Sequence, residues 1–140
     1  MKNGINQHGI LFNLKVFRTK SKGWGVRSRS YIPHGSFVCA YIGVILQEEE
    51  DASSQHAFFL MLSSSIGADV FVIDATQHGN VGRFVNHSPS PNLFLESVLY
   101  DHDDVRMPHM MLFAKKSIPL KQELIYDYCG SNFRPQRIFV

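Results

Sequence analysis

Residue types able to do chemistry fall into three short phrases, far apart in the chain. They are Gly23-Trp24-Gly25, Arg83-Phe84-Val85-Asn86-His87-Ser88 and Glu123-Leu124-Ile125-Tyr126-Asp127-Tyr128. Glycines let the backbone approach a ligand closely, so N–H and C=O groups become the binding surface. The first phrase is also compatible with a hairpin turn whose Trp24 packs in the core. It is not a dinucleotide fingerprint, because no third glycine follows at the required spacing and no helix opens after the turn. Asn86-His87-Ser88 has the form of a glycosylation acceptor, yet the start of the chain carries no expected secretory signal, and Phe84 and Val85 lead into it as a buried approach. An Asx-type turn ahead of Pro89-Ser90-Pro91 is the plainer alternative. The full run from Gly79-Asn80-Val81-Gly82 through Ser88, followed by Pro91-Asn92, is more specific than a turn. In a strand, residues two apart face the same way, so Tyr126 and Tyr128 can send both hydroxyls into one pocket. Their alternative is an aromatic core ladder with Asp127 capping a turn.

Short strands are what the surrounding sequence offers to position these groups. Phe12, Leu14 and Val16 alternate with Asn13, Lys15 and Phe17, the pattern of a half-buried strand. Residues 37–46 and 70–73 are β-branched and aromatic runs bounded by Gly, Pro or Ser. Residues 94–100 and 109–114 form a further pair across the polar loop Asp101-His102-Asp103-Asp104. Glu48-Glu49-Glu50-Asp51 is a solvated surface or one short helical turn, and helical periodicity is sustained nowhere. The class is mainly β. One echo stands out: Ser30-Tyr31-Ile32-Pro33 and Lys116-Ser117-Ile118-Pro119 share the order Ser, Ile-Pro, turn, strand. Proline fixes φ and donates no hydrogen bond, so each is expected to cap a turn into a strand.

Composition narrows the function classes. The chain has 140 residues, of which 44% are hydrophobic and 19% charged, enough for one core and too apolar for a disordered segment. A formal charge of +2 gives no reason to expect nucleic-acid binding. No apolar run approaches the ~20 residues of a membrane span. Cys39 and Cys129 are the only cysteines, too few for a four-ligand zinc site, and are read as small apolar fillers or free thiols.

Taken together, these phrases resemble the SET domain of protein-lysine methyltransferases, most nearly the plant branch that methylates lysine nine of histone H3. The likeness runs over about residues 12–128. It includes Phe17-Arg18-Thr19-Lys20, Gly23-Trp24-Gly25-Val26-Arg27-Ser28, Ile32-Pro33, Tyr41-Ile42-Gly43, Asp74-Ala75 and Val98-Leu99-Tyr100-Asp101-His102. The resemblance implies a β-clip fold of short strands in small sheets, with the C-terminal segment threaded like a pseudoknot through a loop at the Asn-His phrase. It implies a single domain over residues 1–140, with residues 129–140 as a tail in place of the post-SET region. It implies an S-adenosylmethionine-dependent histone-lysine N-methyltransferase acting on the histone H3 tail in nuclear chromatin, with a mono- or dimethylated product. Cofactor contacts would come from Lys22, Gly23, Trp24, Arg83, Asn86 and His87. Tyr128 would be the catalytic tyrosine, Tyr41 would line the lysine channel, and Tyr126 would set the number of methyl groups added. Neither direct DNA binding nor a membrane is expected.

The pattern is not complete. Pro89 stands where such relatives carry a zinc-ligating Cys, and no cysteine follows Cys129. The pre-SET and post-SET zinc clusters are therefore missing from this chain, and no metal is expected. Val44 and Phe58 replace a usual Glu and a usual Tyr. Phe133, Ile138 and Phe139 are candidates for an apolar lid in place of the trailing cluster. These departures keep a second expectation open, a catalytically weak SET module that recruits partners to chromatin.

Overall fold

The structure is a computed structural model that describes residues 11–47, 59–62, 71–99, 109–128 and 136–137. Within them eleven short strands form three small sheets, with one 3-10 turn at Val81–Phe84 between the sixth and seventh strands. The strands are β1 (Leu14–Arg18), β2 (Trp24–Ser28), β3 (Phe37–Tyr41), β4 (Val44–Gln47), β5 (Phe59–Leu62), β6 (Phe71–Asp74), β7 (Asn86–His87), β8 (Leu93–Leu99), β9 (His109–Ala114), β10 (Glu123–Tyr126) and β11 (Gln136–Arg137). They pair in the orders β1-β2-β10-β7, β11-β8-β9-β3 and β4-β6-β5. The mainly β class read from the sequence holds.

Local pattern explains most of these elements. In β1, Leu14 and Val16 pack against the core while Lys15 between them stays exposed, as alternation dictates. Phe12 lies before the strand and still packs on that core. β8 and β9 form the expected antiparallel pair, from Leu93 opposite Ala114 to Val98 opposite His109. The apolar run at 37–46 divides into two strands of different sheets. Gly43 causes the break: its backbone lies so close to the Asp74 carbonyl that no side chain fits, and the chain turns there. Cys39 is a fully buried free thiol, as read. Cys129, Phe58, the acidic run 48–51, the loop 101–104 and the apolar tail positions lie outside the described residues.

The Ile-Pro echo is structural. Ile32 N–H donates to the Ile118 carbonyl at 3.0 Å, and Ile118 N–H donates to the Ile32 carbonyl at 2.8 Å. The flanking bonds repeat the exchange: Gly35 N–H donates to Ala114 O at 2.9 Å, and Lys121 N–H donates to Ser28 O at 2.8 Å. Gly35 and Lys121 both have positive φ, 84° and 66°, so both corners turn in the same way. β2 then pairs with β10, and β9 with β3. Two strand–corner–strand units thus embrace about the buried pair Ile32 and Ile118, with Val26, Val38, Leu112 and Leu124 filling the core around them.

This embrace carries the tyrosine phrase into the Asn-His phrase. β10 is held by β2 on one edge and by parallel β7 on the other, where Ile125 lies opposite Asn86 and Tyr126 opposite His87. Buried Asn92 adds three bonds. Its amide nitrogen donates to Glu123 O at 2.8 Å, its amide oxygen accepts from Ile125 N–H at 2.9 Å, and its backbone N–H donates to Ile125 O at 3.2 Å. The segment from Asn86 to Asn92 therefore straps the C-terminal strand from the side opposite β2.

Candidate active site

The turn after β1 is tied by Thr19. Its backbone N–H and its hydroxyl both donate to the Gly23 carbonyl, at 2.7 and 2.8 Å, and its Oγ1 accepts from Lys22 N–H at 2.8 Å. Gly23 has φ of 72°, the left-handed region where a side chain is strained. Trp24 is 51% exposed, so the reading of a core tryptophan is corrected. It sits at the rim of the sheet, opposite Arg18 in register, and the Arg18 guanidinium covers its ring at 5.4 Å. The turn and its tryptophan face outward and are available to a ligand.

Next to this turn lies a knot of polar groups. The Asn86 side-chain nitrogen donates to the Trp24 carbonyl at 2.8 Å and to Glu123 Oε1 at 2.9 Å. The other carboxylate oxygen of Glu123 lies 3.5 Å from Lys22 Nζ. Gly25 makes the crossing possible: a Cβ there would come within 2.9 Å of Glu123 Oε1 and 3.2 Å of Asn86 Nδ2. Sequence reading placed Lys22 and Asn86 in the site and left Glu123 out. The only signal was its place at the head of the tyrosine phrase.

The 3-10 turn aims the Asn-His phrase. Asn80 caps it, accepting from Gly82 N–H at 3.1 Å and donating to Ala40 O at 2.9 Å. The chain leaves the turn extended at Val85 and presents Asn86 and His87 beside β10. His87 Nδ1 accepts the backbone N–H of Tyr128 at 3.1 Å, and the two rings lie 5.1 Å apart. Asp127 Oδ1 is 3.7 Å from the same nitrogen.

Tyr128 completes the group. Its hydroxyl donates to the Val85 carbonyl at 2.6 Å, and its ring lies 4.6 Å from that of Tyr126. Tyr126 is 4% exposed and Tyr128 is 51% exposed. The pair thus grades from core to surface, and Tyr128 lies two residues beyond the end of β10 at Tyr126. Tyr41, on β3, joins them from the opposite unit of the fold. Burial, followed by the fields of Tyr128 and Asp74, pushes its phenol up to about 12, while Arg83 opposes the shift. Tyr126 is raised by burial and then by Tyr128 and Tyr41; Tyr128 is raised by burial and then by Glu123. All three are neutral phenols at physiological pH.

Eight of the nine singled-out residues gather here. Arg83 stands aside: its guanidinium donates to the Ala75 carbonyl at 3.1 Å and lies 4.8 Å over the Phe84 ring, on the Tyr41 side. Among the described residues no group of three His, Cys, Asp or Glu could hold a metal ion. Among the described residues no helix is long and apolar enough to cross a membrane. The arrangement offers acceptors, a cation and open backbone at one end, and neutral phenols at the other. It can hold a polar, zwitterionic ligand and order an amine beside it.

Comparison with known proteins agrees. Residues 23–129 match the family described as SET domain. The chain is 45% identical over 135 residues to the Arabidopsis thaliana histone-lysine N-methyltransferase, H3 lysine-9 specific SUVH5, covering 96% of this chain and 17% of that protein. It is 38% identical to human histone-lysine N-methyltransferase EHMT1, covering 94% of this chain and 10% of that one. The crystal structure of Arabidopsis SUVH6 in complex with SAM superposes with a TM-score of 0.80 at 44% identity, over 89% of this chain and 28% of that one. KRYPTONITE, crystallised with mCHH DNA, an H3(1-15) peptide and SAH, gives 0.75 at 44% identity, over 87% and 24%. The chain thus spans less than a fifth of the length of its SUVH5 and SUVH6 relatives.

Proposed function

The chain belongs to the SET-domain family, and from that membership we propose that it transfers a methyl group from S-adenosylmethionine to a lysine of the histone H3 tail, in nuclear chromatin. The observation that carries the proposal is the direct junction of the two phrases, His87 Nδ1 with Tyr128 N–H, which sets the cofactor side of the site against the tyrosines. The cofactor suits the residues at hand. It carries an ammonium, a carboxylate and a nucleoside, to which Asn86 Oδ1, Lys22 Nζ and the backbone around Gly23 are complementary. When bound it supplies an electrophilic methyl on a sulfonium.

The protein must then deliver a neutral amine in line with that methyl. Free lysine has a pKa of ~10.4, so deprotonating it at pH 7 costs about 4–5 kcal/mol. Aromatic walls at Tyr41 and Tyr126 disfavour the ammonium form and lower that cost. None of the three phenols is a base at neutral pH, because burial first of all holds each of them protonated. Their role is orientation. Tyr128, whose proton is committed to Val85 O, keeps a lone pair to accept an amine N–H and fix the nitrogen. The deeply buried Tyr126 hydroxyl would crowd further methyl groups and favour a mono- or dimethyl product. The H3 peptide would add as a strand to a sheet edge.

One observation favours the second reading, a recruiting module with little activity: Tyr128 is open to solvent on one side. A transfer assay with labelled S-adenosylmethionine and an H3 tail peptide separates the two. The enzyme reading predicts label in the peptide, abolished by Tyr128→Phe while calorimetric cofactor binding stays. Cofactor binding with no transfer in the wild type would instead support the recruiting module.

A further inference from the structure

The carboxamide of Asn86 has spent both of its protons. One goes to the Trp24 carbonyl at 2.8 Å and the other to Glu123 Oε1 at 2.9 Å. An amide can present its nitrogen or its oxygen to a pocket, and a 180° flip exchanges them. Here the flip is barred twice, since it would set the amide oxygen against a carbonyl and a carboxylate at once. Only Oδ1 remains, and among the described residues it has no protein partner.

We infer that Glu123 is a positioning residue of the cofactor site, which fixes the polarity of the Asn86 amide so that the pocket offers a pure acceptor to the cofactor's ammonium group. Three details support a built arrangement. Gly25 leaves the space through which the Asn86–Glu123 bond passes, since a Cβ would meet both partners. Asn92 pins the Glu123 backbone carbonyl at 2.8 Å, so the carboxylate springs from a fixed point. Lys22 holds the second carboxylate oxygen at 3.5 Å, which spaces the first toward Asn86. The Glu123 charge also favours an ammonium nearby, while Lys22 offers a counter-charge to a carboxylate two bonds away on the same ligand.

The inference rests on the cofactor assignment above, and a ligand comparison separates the two. S-adenosylhomocysteine carries the α-amino acid group; 5′-methylthioadenosine keeps the nucleoside and thioether and lacks it. Calorimetric titration of both ligands into wild type, Glu123→Ala and Glu123→Gln is the experiment, with each variant's fold checked by circular dichroism. Glu123→Ala is expected to lose about tenfold or more in affinity for S-adenosylhomocysteine, the size of one charge-assisted hydrogen bond. Its affinity for 5′-methylthioadenosine should stay within about twofold of wild type. Glu123→Gln retains a carbonyl oxygen for the Asn86 amide and should recover S-adenosylhomocysteine binding to within about threefold, because that bond survives. Equal losses for both ligands in Glu123→Ala, or no loss for either, would overturn the inference. A wild-type protein that binds neither ligand would overturn the cofactor assignment and this inference with it.

Discussion

Three phenols, two of them buried, and one buried thiol resist ionisation, with a consequence for stability. Burial pushes Tyr41 and Cys39 up to about 12, from ordinary values of 10.0 and 9.0, and raises Tyr126 and Tyr128 as well. Above pH 9 for the thiol and 10 for the phenols, the unfolded chain releases protons that the folded chain keeps. Stability is therefore whole below these values and falls as pH climbs toward about 12. Urea unfolding at two alkaline pH values and one neutral value should show the midpoint dropping steeply only in the alkaline pair. A flat profile would contradict the burial. Residue-level chemistry was unevenly legible in the sequence. Tyr126 and Tyr128 announce each other by spacing, whereas Tyr41 entered only through family resemblance. Glu123 was missed because its role is to another side chain, 37 residues away.

At the scale of elements, the sequence showed the two Ile-Pro corners but not that they bind one another. Pairing across 86 positions has no local signature; it follows from burying both isoleucines at one point. Likewise the division of residues 37–46 depended on a carbonyl from β6 behind Gly43, which no window of sequence contains. Asn92 gives the sharpest test of this architecture. Asn92→Ala strips bonds from Ile125 N–H and the Glu123 carbonyl, and each buried backbone group left unsatisfied costs roughly 1–3 kcal/mol. The expected outcome is a large fall in the denaturation midpoint together with loss of cofactor binding. Tyr128→Phe removes only one such bond, to the Val85 carbonyl, and should lower the midpoint less than Asn92→Ala does. Unchanged stability in Asn92→Ala would mean that the strap is not what holds β10 beside β7.

For the molecule as a whole, the site exists because two strand–corner–strand units close on each other and carry residues 22–24, 41, 86–87 and 126–128 to one place. That convergence was legible because its motifs are specific, and the fold then followed from family. A crystal structure of the chain with S-adenosylhomocysteine bound settles the main issue. The ligand's amino acid group should lie at Asn86 Oδ1 and Lys22, with its sulfur pointing to the Tyr41, Tyr126 and Tyr128 hydroxyls. A ligand seated elsewhere, or with its sulfur turned away from the tyrosines, would show that cofactor and lysine do not meet in this cavity.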